Sequence, residues 1–489
     1  MPIVLQEKLI QWILLPVSRI VEKIPMAIRD TAFSLSVFVL ILMQFIRGSG
    51  LYTGRFLFQF LIVYFLFGIM ILTGLTSDIK PVPFSPVLFA CWLGCTVFML
   101  LTGILVNTSS LANATLWLVI FPIFYMVWGQ REFDRIVPLV VRGVLLSFLI
   151  FTIVSIFFYP INAINYSSFF INRNRTGLYL VSVFVCLLGY IFSKQSFSVY
   201  VLIAEIISGF TAASIYYTNS RTSIIATALC FLASSLFYLY IYRKELRHIL
   251  LCKILPIIAA TIILLPNTIY IYQSGYSLAS SIQTALEATP PPVTADPLSP
   301  GTTDVPILTP AVSEAPGTPT PAPPAAETLD AMKDYNEQRF DTAEKTLNAY
   351  TAGRVARWVA YSREISFLGN PPGKVLYDFN GKEITNSSHF TIIQFAYSYG
   401  AIAGLSMLLL NIFAGLASIR YAIKRRELKY CIFPFAVAIA YGAESVMEAL
   451  GSAGTDCLSF LYFFSLIPLI TRTGICLDTG STAKEEERL

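Results

Sequence analysis

The chain has 489 residues, of which 55% are hydrophobic, 14% aromatic and only 13% charged. Apolar runs of about 18 or more residues recur along it, which excludes a soluble globular protein and indicates a polytopic membrane protein. The formal net charge of +5 says little about nucleic acid, whereas the distribution of the charges along the chain bears on orientation in a membrane. We therefore expect a lipid bilayer as a partner and no nucleic acid.

The N-terminal stretch "VLQEKLIQWILLPVSRIVEKI" mixes apolar and charged residues and lacks a small-residue cleavage site. It predicts an amphipathic helix at the membrane interface, interrupted at Pro16.

Hydropathy predicts an all-α polytopic fold with about twelve transmembrane helices. The predicted spans are 31–46, 56–76, 84–106, 111–129, 136–159, 176–193, 197–218, 222–242, 249–272, 390–418, 430–449 and 456–471. They divide the chain into three regions: an N-terminal membrane region with nine spans, 1–272; one large external loop, 273–388; and a C-terminal membrane region with three spans and a tail, 389–489.

Most Lys and Arg residues fall in alternate loops, including "YRKELRH" and "RYAIKRRELK". The positive-inside rule places these loops and both termini in the cytoplasm. The short external loops hold few cations, namely Arg47, Arg55, Arg173, Arg175 and Arg221. Because these cations oppose the topological bias, we expect a separate reason for them.

The external loop changes composition along its length. Residues 273–327 form a Pro-rich linker, and residues 328–388 are charged and favour short helices. A helix that begins after Gly353 would place Arg354, Arg357 and Trp358 on one face.

The arginines at the outer rim suit an anionic ligand, because the guanidinium group presents a planar fork of donors to phosphate. The candidates are Arg173, Arg175, Arg221, Arg354 and Arg357. Each of them taken alone is also compatible with snorkelling at the membrane interface.

His389 lies on the predicted external side, at the mouth of a span. Imidazole titrates near neutrality, so His389 is a candidate general base, although a structural role stays open. Glu444 and Glu448 share one face of a predicted helix. They are candidates to orient His389 or to balance the arginines, and structural pairing is the alternative.

Four motifs occur in a fixed order along residues 165–415. They are "NRNRTG" with Asn174 and Gly177, "SRT" at Ser220–Thr222, "GRVARW" with Gly353, Arg354 and Trp358, and a histidine segment with His389, Gly400 and Gly404. With the large late external loop, this order resembles the O-antigen ligase / O-antigen polymerase superfamily of bacterial membrane glycosyltransferases.

The resemblance implies glycosyl transfer outside the cytoplasmic membrane, with the glycan carried on undecaprenyl diphosphate and a sugar as acceptor. It implies neither metal nor cofactor. Arg221 and Arg354 would bind the diphosphate, with Arg173, Arg175 and Arg357 as weaker candidates. His389 would be the base or would position the acceptor.

Ligase and polymerase remain open alternatives, as does the oligomeric state. A transporter or flippase for polysaccharide or anions is a second reading, because about twelve spans are also common there. A sensor or scaffold that uses the Pro-rich loop as a binding arm is a third.

Overall fold

A computed structural model describes residues 3–49, 56–161, 165–170, 172–194, 196, 198–288, 353–377, 383–384, 387–451 and 454–471. The predicted linker from residue 289 onward, the charged segment before Gly353, and Arg55 lie outside the described residues.

The described chain is almost entirely helical. Its α-helices are α1 Ile3–Leu9, α2 Leu15–Val21, α3 Met26–Gly48, α4 Phe56–Gly74, α5 Pro86–Leu105, α6 Ser110–Thr115, α7 Phe121–Trp128, α8 Phe133–Phe158, α9 Arg173–Ser193, α10 Val199–Thr218, α11 Arg221–Ile241, α12 Leu246–Ile249, α13 Leu255–Ala288, α14 Arg354–Arg363, α15 Thr391–Tyr399, α16 Ala401–Lys424, α17 Phe433–Met447, α18 Cys457–Ser465 and α19 Ile467–Ile470. A short antiparallel hairpin pairs β1, Leu376–Tyr377, with β2, Glu383–Ile384.

Within the described residues, nine helical segments are long and apolar enough to cross a membrane. They are Met26–Gly48, Pro86–Leu105, Ser110–Trp128, Phe133–Phe158, Arg173–Ser193, Val199–Thr218, Arg221–Ile241, Arg243–Thr284 and Ala401–Lys424. Shorter apolar helices occur at Gln59–Gly74, Phe433–Met447 and Cys457–Ile470. The prediction of an all-α polytopic membrane protein is confirmed at this level.

The N-terminal segment is helical, but Pro16 does not interrupt it. A π-helical turn, Ile10–Leu14, joins α1 to α2, and Pro16 falls in the first turn of α2. The preceding π-helical turn departs from the i→i−4 hydrogen-bond pattern, so the helix continues past a residue that has no N–H to donate. The prediction of a break at Pro16 was therefore wrong.

The helix before the external loop is longer than predicted. We expected the membrane region to end at residue 272, whereas α13 continues to Ala288. Its 34 residues correspond to about 50 Å of helix, more than a hydrocarbon core of about 30 Å requires. The first part of the predicted linker is thus helical.

The predicted span 390–418 is divided into two helices. Gly400 separates α15 from α16 with φ 101° and ψ 160°, a conformation that side chains of L residues rarely adopt. An added Cβ at this position would lie 2.0 Å from the carbonyl oxygen of Phe367. The break therefore brings the external segment directly against the start of α16.

Replacing Gly400 by Ala is expected to lower the free energy of unfolding by about 1–3 kcal/mol, because of strain and backbone overlap. Thermal unfolding of the detergent-purified chain measures the change. Gly415→Ala is the matched control within α16, since no atom lies within 4 Å of its added Cβ. Equal stability of both variants would contradict the account.

Helix α9 is the most buried of the candidate spans, with 89% of its apolar window inside the protein. It packs against α10, α11 and α17. Gly177 permits a close approach to α11, because a Cβ there would lie 2.4 Å from Ser223 Oγ. The first turns of α9 and α11 are therefore held together beside the end of α17.

Candidate active site

The centre of the site is the carboxylate of Glu448, which directly follows α17. Its Oε1 accepts hydrogen bonds from Asn174 Nδ2 at 2.7 Å and Arg354 Nη2 at 3.0 Å. Its Oε2 lies 3.0 Å from His389 Nδ1. The Glu448 side chain is only 14% exposed. Four segments that are distant in sequence thus meet at one acidic group.

His389 has φ 55°, in the left-handed region that non-glycine residues seldom adopt. Such strained residues are concentrated at functional sites. Thr391 links the turn at His389 to the end of α17 by two hydrogen bonds. Its hydroxyl donates to the Glu448 carbonyl oxygen at 2.8 Å and accepts from the Leu450 N–H at 2.9 Å.

The contact with Glu448 determines the tautomer of neutral His389. A carboxylate only accepts hydrogen bonds, so Nδ1 must carry the proton and Nε2 must carry the lone pair. Within the described residues, Nε2 has no hydrogen-bond partner. The arrangement is that of a base oriented by a carboxylate.

Arg354 holds helix α14 against α11 and the end of α17. Gly353 begins this helix with φ 78°, and Arg354 follows it. Besides its contact with Glu448, Arg354 places Nη1 3.4 Å from Thr222 Oγ1 on α11. One turn later, the ring of Trp358 packs against Phe390, with centroids 5.7 Å apart. The loop helix therefore covers the segment that carries His389.

A cavity of about 550 Å³ opens beside His389 and Glu448. We call it the histidine cavity. Part of its wall is apolar, with Phe45, Phe170 and Leu178. The remainder is polar and includes Asn172, Asn174, Arg47, Arg175 and Asp456. The cavity thus offers an apolar surface next to cationic groups.

The two arginines in this wall make no direct polar contact with the described residues. Within the described residues, neither Arg47 nor Arg175 forms a hydrogen bond or an ion pair. Two acids, Glu448 and Asp456, line the same cavity. Asp456 is close enough for its charge to act on Arg47, but its oxygens accept from the backbone N–H groups of Ser459 at 2.7 Å and Gly451 at 3.1 Å. An anion that enters the cavity would therefore meet two guanidinium groups whose hydrogen-bond donors are unused among the described residues.

The remaining predicted arginines lie elsewhere. Arg173 donates to the Asn165 side chain. Arg221 is exposed at the start of α11 and does not line the histidine cavity. Arg357 lies near Tyr361 on α14. Burial raises the pKa of the Tyr361 phenol, and the Arg357 charge partly offsets this effect.

Glu444 lies one helical turn before Glu448 and is fully buried. Neither of its carboxylate oxygens has a hydrogen-bond partner among the described residues. Ser223 and Arg354 are among the polar groups around it. The structure therefore brings Glu448, and not Glu444, into contact with His389.

Sequence reasoning did not assign Arg47 or Asp456 to the site. Arg47 could have been selected by the same sequence criterion as the other arginines, because it also lies at the external end of a predicted span. Asp456 is followed three residues later by Ser459, a spacing typical of a helix N-cap. Only the tertiary packing of α3 and α18 brings both into one wall.

Within the described part of the chain, no three His, Cys, Asp or Glu side chains come together as metal ligands. A search against protein-family models finds no match for this chain, and a search of curated proteins finds no significant match.

Proposed function

We propose that this chain is a membrane glycosyltransferase that moves a glycan from undecaprenyl diphosphate to a sugar acceptor on the outer side of the bacterial cytoplasmic membrane. The observation that carries the proposal is the His389–Glu448 pair in the wall of a cavity with unpaired Arg47 and Arg175. A base and cations with unused hydrogen-bond donors are the groups that displacement of a diphosphate requires.

In the proposed reaction, His389 Nε2 takes the proton from an acceptor hydroxyl. The hydroxyl oxygen forms a bond to the anomeric carbon as the bond from that carbon to the diphosphate oxygen breaks. The electron pair leaves on the diphosphate, and configuration at carbon is inverted. Glu448 stabilises the imidazolium that forms.

Arg47 and Arg175 are placed to balance the charge that develops on the leaving diphosphate. Arg354 has a different part, because its guanidinium group already donates to Glu448. We assign Arg354 to hold Glu448 and the loop helix α14 in position. The assignment of Arg221, which rests on the motif resemblance, can be tested directly against that of Arg47 and Arg175.

The size of lipid-linked glycan in cells that lack the gene tests this proposal. We expect an accumulated intermediate on the lipid carrier, which reappears at its normal level when the wild-type gene is restored. Single repeat units would identify a polymerase, and long chains would identify a ligase. An unchanged lipid-linked pool would contradict the proposal, and glycan trapped on the cytoplasmic leaflet would favour a flippase instead.

A further inference from the structure

The protein contains a second cavity of about 600 Å³. It is formed by the start of α6, the loop 370–375, strand β2 and helix α15. We call it the tyrosine cavity. None of the residues that line it also lines the histidine cavity. It is therefore a separate site with its own chemistry.

The lining is polar and aromatic. It combines carboxamides, hydroxyls and tyrosine rings, including Asn113, Asn370, Ser109, Ser398, Tyr361 and Tyr397. Its one cation, Lys374, already contacts Glu364 Oε2 at 2.5 Å and Asn370 Oδ1 at 3.1 Å. Lys374 is therefore ion-paired, unlike the two arginines of the histidine cavity, and the other charged group in the described lining is the exposed carboxylate of Glu383.

Several of these polar groups are held in fixed positions. Asn370 is 7% exposed and donates to the carbonyl oxygens of Glu364 at 2.7 Å and Tyr397 at 3.1 Å. The rings of Tyr361 and Tyr397 meet edge to face, with centroids 4.7 Å apart. Asn113 donates to Tyr399 at 3.1 Å, and its Oδ1 has no partner in the described residues. Rigid donors and acceptors beside aromatic rings suit an uncharged ligand with both polar and apolar faces.

The tyrosine cavity is connected to His389 through Gln394. The Gln394 Oε1 accepts from the Ser388 N–H at 3.0 Å, and its Nε2 donates to Ser398 Oγ at 3.1 Å. Ser388 immediately precedes His389. From Thr391 to Ser398, α15 extends by about 10 Å. A chain molecule bound in the tyrosine cavity would thus lie along the segment that carries the proposed base.

We propose that the tyrosine cavity binds a saccharide segment of the acceptor glycan. Sugar hydroxyls match the carboxamides and hydroxyls, and the C–H faces of a sugar ring match the tyrosine rings. The diphosphate of the donor would occupy the histidine cavity with its two arginines, which leaves the tyrosine cavity, with its ion-paired Lys374 and exposed Glu383, to the acceptor. The identity of the glycan as acceptor rests on the proposed function, whereas saccharide binding does not.

Binding by the full chain in nanodiscs tests the inference. The probe is surface glycan of the source cells, freed of lipid by mild acid, and saturation-transfer NMR detects the contact. Ser109 is exposed at the rim of the cavity, so Ser109→Trp should obstruct it without disturbing the core. Thr108→Trp is the matched control, because Thr108 is equally exposed and does not line the cavity.

We expect at least tenfold weaker binding in Ser109→Trp and no change in Thr108→Trp. Val375→Trp, from another part of the wall, should reproduce the loss. Unchanged binding in both obstructed variants, or no binding by the wild type, would overturn the inference.

Transfer kinetics distinguish the two sugar substrates and separate the two proposals. A raised KM for the acceptor in Ser109→Trp supports the assignment, whereas a raised KM for the donor alone would contradict it. If Ser109→Trp weakens glycan binding but the wild type transfers no glycan, the proposed function is wrong and the saccharide site is supported. If the chain transfers glycan and the acceptor KM is unchanged in Ser109→Trp and Val375→Trp, the proposed function is supported and the saccharide site is wrong.

Discussion

Replacing Glu448 by Gln is expected to lower the rate of glycan transfer by about two to four orders of magnitude. Both Glu448 oxygens face N–H donors, with Asn174 and Arg354 on one side and His389 on the other. A carboxamide can accept on one side only. If its NH₂ group faces His389, the ring must take the other tautomer, and Nε2 loses its lone pair.

The measurement is kcat and donor KM for the purified variant. Glu448 is a positioning residue in this account, so kcat should fall while KM changes little, and Glu448→Asp should recover part of the rate. The double variant Glu448→Gln/Arg354→Gln is the stability control, because it removes the uncompensated guanidinium charge. Its thermal stability should exceed that of the single variant without recovery of transfer. Wild-type kcat in Glu448→Gln would contradict the account.

The double variant Arg47→Gln/Arg175→Gln is expected to lower kcat/KM for the lipid-linked donor by about two to three orders of magnitude. Both side chains line the histidine cavity, and neither forms a direct ion pair among the described residues. Each would form a charge-assisted hydrogen bond with the diphosphate, a contact that contributes about 1.5–3 kcal/mol. Transfer rates at several donor concentrations measure the effect.

Arg363→Gln is the matched control, because Arg363 is exposed on α14 and does not line the histidine cavity. Its transfer rate should equal that of the wild type. The variant Arg221→Gln compares two assignments of the diphosphate ligands: Arg47 and Arg175 from the cavity geometry, and Arg221 from the motif resemblance. The geometric assignment predicts a smaller loss in Arg221→Gln than in the Arg47/Arg175 double variant. A large loss confined to Arg221→Gln would restore Arg221 as the principal diphosphate ligand.

The apolar helices could be predicted from sequence, because a span requires only a long apolar run. The break at Gly400 could not. It depends on a backbone contact with Phe367, which belongs to the external segment and is brought there by the fold. The continuation of α13 to Ala288 was also missed, since a polar helical segment beyond the bilayer carries no strong hydropathy signal.

Part of the candidate site was accessible to sequence reasoning. His389 was predicted from its position at the mouth of a span after a polar loop, and Glu448 was predicted together with Glu444 because acids within a membrane helix are costly and usually paired. Their mutual contact depends on the left-handed turn at His389 and on the bridge through Thr391, which spacing does not encode. Charge alone does not distinguish Arg175 from Arg173, which lies two residues earlier. Arg175 lines the histidine cavity, whereas Arg173 donates to the Asn165 side chain.

The most direct test of the central claim uses the purified chain in liposomes with two substrates, lipid-diphosphate-linked glycan and acceptor sugar. The account predicts that glycosylated acceptor and free undecaprenyl diphosphate appear together in equal amounts, without any other protein. Both products should be absent with His389→Gln. Donor that stays intact with a folded wild-type chain, or the same yield from His389→Gln, would contradict the claim.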